Sequence, residues 1–481
     1  MKIELYYNNY TKTEYTKEEH PLAALYRLIG FENNTSNHGY VVEKGQEFKN
    51  ILSNQNRKGD LGPFLNKDDY FLEILQQLEI PKKKNGKEKL LNYYPYIPEL
   101  TLFGNLPRED ADKSYNLGAY IKKVIEFGSK DKEQVKDVFD KIFQFLSVDH
   151  DPDNDEDVFC LLLSKEIKDW IEPSDKQLKW EKQVIDIYFN DWNTYGIDCP
   201  ANTFVSDLYE IFKLKNTLSR FQWIKMLSGL LRLAMPMHLL WIYRNNIAMH
   251  LNLISLFNGN TLSNDQKTHT LNDYLFINEE IIEVRNVIAN FKKSEMFIDL
   301  FIEHLSKSGF NNNNLIKITN QKELIDFYDK LTALNLSKVP WKSSFFTEFR
   351  IKLSENSRSL SILKSKLKGR YWFIKHIMEQ GSAEGLEHKK ELDQYYWFKS
   401  RGNKTKLIPG AGQSLMLAYL SSHGKKYCTL SELNKHINKY GIRISNTNDN
   451  PIVESLRMMG LITDNPDSEN GLSISNPLIS K

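Results

Sequence analysis

Two clusters in this 481-residue chain alternate cations with aromatic rings. The first runs Lys364, Lys366, Lys368, Arg370, then Tyr371 and Trp372. The second runs Tyr395, Tyr396, Trp397, Phe398, then Lys399, Arg401, Lys404 and Lys406. Ammonium and guanidinium groups at this density neutralise backbone phosphates, and rings beside them can stack on bases. The same spacing also describes a solvated helix face followed by a strand whose rings belong to a core. Between 341 and 408, fifteen Lys and Arg stand against seven acids, a net of +8, whereas the whole chain carries +2. Positive charge is therefore concentrated in one stretch, and the expected partner is a polyanion, DNA first.

Carboxylates offer less. Asp149, Asp151, Asp153, Asp155 and Asp157 alternate as in a calcium loop, but Asn154 and Cys160 occupy the places of its glycine and its bidentate glutamate. A solvated interhelical loop is expected. Pro152-Asp153 with Glu166 and Lys168 fits the PD…E-x-K pattern of metal-dependent nucleases. That chemistry needs adjacent strands, and 158–171 has helical periodicity. The chain contains no phosphate loop, H-E-x-x-H or G-x-S-x-G motif. Cys160, Cys199 and Cys428 are isolated and lack metal-ligand spacing, as in a reducing cytoplasm. No metal and no cofactor is assigned.

The segment Arg244-Asn245-Asn246-Ile247-Ala248-Met249-His250 resembles the Arg…His signature of HEPN ribonucleases. The resemblance implies that His250 serves as acid and base on an RNA 2′-hydroxyl. Arg244 would steady the phosphate and Asn245 would support them, in a composite dimer site. Six positions along an undistorted helix separate two side chains by about 120°, so a straight helix does not converge them. The alternative is that Arg244 and His250 form polar edges of a buried helical hairpin.

These residues must be carried by helices. Periodicity and caps predict helices over 117–127, 131–146, 157–171, 177–195, 203–233, 237–257, 272–307, 321–334 and 342–379. The most apolar run, 226–257, contains Arg232, Pro236, His238, Arg244 and His250. No charge-free stretch of membrane-spanning length exists there, so a buried hairpin bent near Pro236 is expected and a membrane partner is not. The first 115 residues are less regular, with a strand over 3–7, helices near 18–29 and 68–79, and a basic loop over 82–89. Met1-Lys2-Ile3-Glu4 has no apolar signal core, which points to the cytoplasm. Abundant Asn, Lys and Ile suggest an AT-rich bacterial genome.

The C-terminal seventy residues carry the most specific pattern. Leu415, Met416, Leu417 and Leu420 follow Gly410 and Gly412. Thr429 and Glu432 form a capping box ahead of Leu430, Leu433, Ile437 and Tyr440, and Gly441 supplies a C-cap. Asn450 and Pro451 open a third helix with core stripe Ile452, Leu456 and Met459. Extended pieces at 461–463 and 472–475 flank a polar turn. Three helices followed by a two-stranded wing resemble a winged helix, whose third helix offers Asn450, Glu454, Ser455 and Arg457 outward. Seven cations against six acids over 410–481 leave this module nearly neutral, so DNA contact and protein contact are both open to it. Residues 440–471 are similar to the C-terminus of the accessory component of phosphorothioation-dependent restriction.

The expected fold is mainly α: a mixed region (1–115), an all-helical core (116–340), a basic helical and aromatic connector (341–409) and a winged helix (410–481). The expected function is a non-catalytic accessory subunit of a bacterial anti-phage complex that contacts duplex DNA and works beside an ATPase, helicase or nuclease. Its nucleic-acid-binding residues would be Lys364, Lys366, Lys368, Arg370, Trp397, Lys399, Arg401, Lys404, Lys406 and Arg457. The alternatives are the ribonuclease with Arg244, Asn245 and His250, and a scaffold using the winged helix for protein contacts.

Overall fold

A helix that is apolar on every side has to be enclosed by protein, and the stretch 220–257 forms such a helix. The computed structural model describes residues 3–5, 21–30, 95–103, 117–148, 160, 162–164, 180–182, 184–187, 199–268, 275–280, 282–307, 316–358, 374, 378, 395–401, 404–444, 450–463 and 472–478. The elements in order are β1 (Ile3–Leu5), α1 (Pro21–Gly30), α2 (Leu117–Gly128), α3 (Lys132–Leu146), α4 (Pro200–Phe212), α5 (Arg220–Phe257) and α6 (Asn264–Thr268). Then come β2 (Leu275–Phe276), α7 (Ile282–Lys307), β3 (Ile316–Ile318), α8 (Gln321–Ala333), α9 (Lys342–Arg358), β4 (Phe398–Arg401) and β5 (Lys404–Leu407). The chain closes with α10 (Ala411–Ser422), β6 (Tyr427–Thr429), α11 (Leu430–Asn438), β7 (Ile442–Arg443), α12 (Pro451–Met458), β8 (Ile462–Thr463) and β9 (Ser473–Ser475). Helices dominate, as the periodicity predicts.

Local caps explain most boundaries. Asp131 accepts from the Gln134 amide at the start of α3, and Asn320 from the Glu323 amide at the start of α8. Ser219 and Gln222 form a capping box for α5. That box divides the predicted helix 203–233, so α4 ends at Phe212 and the turn 213–219 intervenes. The buried hairpin expected around Pro236 does not form: α5 runs unbroken for 38 residues with Pro236 inside it. Proline removes one amide donor and crowds the preceding turn. Here α1, α4, α7 and α10 all pack on α5, and the Tyr120 hydroxyl donates to the Met235 carbonyl at 3.1 Å. Tertiary packing thus keeps continuous a helix that its sequence would break. By length and composition α5 could cross a membrane, but its most apolar window is wholly buried inside the protein.

Other differences are local. The predicted helix 272–307 begins instead with β2 and becomes helical at Ile282. Described residues within 180–187 are non-helical, although 177–195 has helical periodicity. Trp180 explains that: it stacks on Phe143 (centroids 4.7 Å apart) and donates to the Tyr26 carbonyl at 3.1 Å. Its ring occupies the space a side chain at Gly30 would need. The helix near 68–79, the basic loop 82–89, the acid run 149–157 with Pro152, Asp153, Glu166 and Lys168, and the polar turn 464–471 lie outside the described residues.

The sheets are small. β1 pairs parallel with β3, β2 parallel with β7, β4 antiparallel with β5, and β9 lies between β6 and β8 in an antiparallel sheet. One contiguous apolar core runs from Leu22 to Ile474 through all of these.

Arg220 anchors the first turn of α5. Its guanidinium donates to the carbonyls of Leu146 (2.6 Å), Ser147 (2.9 Å) and Tyr96 (3.1 Å), and its Nη2 reaches the Tyr26 hydroxyl at 3.4 Å. The cation thereby closes the carbonyl end of α3, where the helix dipole favours positive charge. Burial pushes the Tyr26 hydroxyl far above its ordinary pKa, so it stays a neutral donor to the Tyr96 carbonyl. Arg220→Met should lower the unfolding free energy by about 3 kcal/mol or more, because three buried carbonyls lose charged donors. Urea denaturation at neutral pH checks this, and Arg220→Lys should recover part of the loss.

Candidate nucleic-acid interface

The second cation–aromatic cluster folds into the β4–β5 hairpin. Its register sets Phe398 opposite Leu407, Lys399 opposite Lys406, Ser400 opposite Thr405, and Arg401 opposite Lys404. Strand alternation then separates two kinds of residue. Phe398, Thr405 and Leu407 are buried, and the alternate positions 399, 401, 404 and 406 are all cationic. Trp397, an expected stacking ring, is fully buried with its amide donating to the Met378 carbonyl at 2.8 Å. It packs the core. Lys364, Lys366, Lys368 and Arg370 lie outside the described residues.

A short ladder mounts the hairpin. The Leu407 amide donates to Glu279 O (3.0 Å) and the Asn278 amide to Leu407 O (2.8 Å), with Glu280 bridging Lys406. The same segment continues as β2 against β7, where the Ile277 amide reaches Arg443 O at 3.0 Å. Residues 275–280 therefore join the hairpin to the turn between α11 and α12.

The C-terminal helices are held against the body by contacts with no local sequence signature. Asp207 of α4 is buried and accepts from the Tyr440 hydroxyl at 2.7 Å, and His436 Nε2 lies 3.1 Å from the same oxygen. Tyr440 is pushed well above its ordinary pKa by burial and by the Asp207 charge. Gln413 donates to the carbonyls of Gly229 (3.0 Å) and Tyr395 (2.9 Å), and Arg232 donates to the latter at 3.3 Å. The Tyr395 ring fills the gap between Gly229 and Gly412, where a Cβ would come within 2.4 and 2.8 Å of it. Gly441, in the left-handed region (φ 75°), admits the Arg244 guanidinium against its backbone.

What remains outward is α12 and its surroundings. Glu454, Arg457 and Met458 are exposed, Met458 at 76%, whereas Ile452, Val453 and Leu456 are buried. Asn450 caps the helix through the Ile452 amide, which occupies its carbonyl oxygen. Lys425 pairs with Glu432 at 3.2 Å, and Lys426 sits 5.5 Å over the half-exposed Tyr427 ring. Arg443 on β7 is exposed beside the ladder.

Arg244, Asn245 and His250 share α5 but not a site. Arg244 is buried against Gly441, and Asn245 donates to the Trp241 carbonyl one turn back. His250 points to α7 and α9. Its Nδ1 lies 3.1 Å from Ser294 Oγ, and its ring packs on Phe297 at 4.2 Å and faces Phe349. The continuous helix keeps the two groups apart, as its 3.6-residue turn requires. A comparison with models of known protein families gives no match, and neither does one with curated proteins.

Burial, and then the Lys293 charge, lowers the His250 pKa to about 4. The unfolded chain therefore binds a proton there at a higher pH than the folded one. Stability is lost as pH falls from the ordinary histidine value near 6.5 towards 4, at up to about 1 kcal/mol per pH unit from this residue. His250→Asn should flatten that part of the profile, as read from urea midpoints between pH 7 and pH 4.5.

Proposed function

We propose that this protein docks on duplex DNA through its C-terminal third, with 410–481 acting as a winged helix and α12 in the recognition position. The observation that carries the reading is the exposed Glu454, Arg457 and Met458 face of α12. Helix α10 is meanwhile packed on α5, and α11 is packed on α10 and reaches α4 through His436. The order α10, β6, α11, α12, β8, β9 and the sheet order β6-β9-β8 support the assignment. A third helix offered to solvent beside a short antiparallel sheet is the arrangement with which winged helices enter the major groove.

The role is that of a non-catalytic accessory subunit in the cytoplasm, working beside an ATPase, helicase or nuclease. Its setting in a bacterial anti-phage complex rests on the resemblance of residues 440–471. Arg457 is the base or phosphate partner on α12, and Glu454 repels phosphates unless it accepts from a cytosine amine. The full chain should retard a short duplex at low salt. Arg457→Ala should weaken that affinity roughly 3- to 10-fold and reduce the salt slope by about 1. Failure of the intact chain to retard duplex DNA at low salt overturns the reading.

A further inference from the structure

We propose that the β4–β5 hairpin is a phosphate clamp that holds duplex DNA by charge alone, without reading sequence. The inference deepens the DNA-docking reading and rests on it. The register places a cation opposite a cation twice, Lys399 with Lys406 and Arg401 with Lys404. Like charges directly opposite one another destabilise an antiparallel pair. A ribbon of two four-residue strands carrying both pairs is therefore costly in isolation, and an anion laid across it reverses the sign.

The dimensions select the anion. Alternate residues on a strand are about 6.7 Å apart, and facing residues about 5 Å apart, so the backbone positions of the four cations span roughly 7 by 5 Å. Duplex DNA presents one negative charge per about 1.7 Å of axis, and its major groove admits a two-stranded ribbon. Glu280, opposite Lys406 in the ladder, is one carboxylate against four cations.

Phe398 and Leu407 belong to the buried face, and Trp397 beside them is fully buried. The two rings nearest the cations, Trp397 and Phe398, are therefore closed to base stacking, which is what single strands would use. The clamp is also held in place. Through residues 275–280 it shares a ladder with β7, which begins four positions beyond the end of α11.

The test uses the full chain and a labelled short duplex, with affinity measured at several salt concentrations. The fourfold variant Lys399→Gln, Arg401→Gln, Lys404→Gln, Lys406→Gln should flatten the slope of log K against log salt by about 3 to 4. It should also bind at least tenfold more weakly at low salt. The charge-preserving variant Lys399→Arg, Lys404→Arg, Lys406→Arg should keep the wild-type slope, which separates charge from any effect on folding. Two duplexes of unrelated sequence should be affected alike. A fourfold variant with wild-type slope and affinity overturns the clamp, and if Arg457→Ala still weakens binding the docking reading stands. No retardation by the intact chain overturns both. Tighter binding to single-stranded DNA, to duplex RNA or to an acidic polypeptide than to duplex DNA of equal charge overturns the clamp as stated.

Discussion

From Met226 to Arg244 helix α5 has no outward side, and the rest of the structure is arranged around that constraint. A helix apolar all round must be sheathed by other elements, yet this one carries Arg220, Arg232 and Arg244, each buried. A buried cation is tolerated only where acceptors meet it. Steps of twelve residues advance about 18 Å along a helix and turn it by about 120°, so the three arginines point in three directions. Arg220 collects the carbonyls that end α3 and that of Tyr96. Arg232 takes the Tyr395 carbonyl ahead of the hairpin, and Arg244 lies against the Gly441 turn. One helix thus touches the N-terminal, connecting and C-terminal parts of the chain, through backbone carbonyls at Arg220 and Arg232 and by close packing at Arg244.

That arrangement decides which surfaces are left for partners. The C-terminal helices are sealed to the body by Asp207 with His436 and Tyr440, by Gln413 and by the β2–β7 pairing. Cutting the chain near 410 would expose α10, most of whose residues are buried, and would strip α5 of part of its sheath. The C-terminal third is therefore best regarded as a fused face of the whole molecule. Its outward portion is the α12 surface, with exposed Glu454, Arg457 and Met458.

Much of this was legible locally. The Thr429–Glu432 box, Asn450 with Pro451, and the left-handed Gly441 and Gly460 mark boundaries that depend only on neighbours in sequence. The hidden features join distant residues. β2 and β7 are two-residue strands paired across more than 160 positions, too short to leave a period-2 signal. Pro236 reads as a break because its neighbours in space cannot be seen in the sequence. The cations at 399, 401, 404 and 406 were visible, but their separation from Trp397 and Phe398 needed the register. The arginines of α5, which in sequence argue only against a membrane span, turn out to fasten the fold. Asp207 gave no sign of its partners 229 and 233 residues away.

The rigid mount also bears on how DNA would be held. Association costs freedom in every loop and side chain that must be ordered, and pre-set geometry reduces that cost. Strands β5 and β7 share one short ladder through residues 275–280, which fixes the two relative to one another. Such a mount cannot follow the duplex as base sequence changes its shape. It therefore suits contacts made to the regular phosphate backbone better than contacts made to base edges. With Glu454 opposing Arg457 on α12, close approach of that helix to phosphate depends on affinity supplied from elsewhere. In the proposed docking the hairpin would supply it, and α12 would set orientation on the duplex.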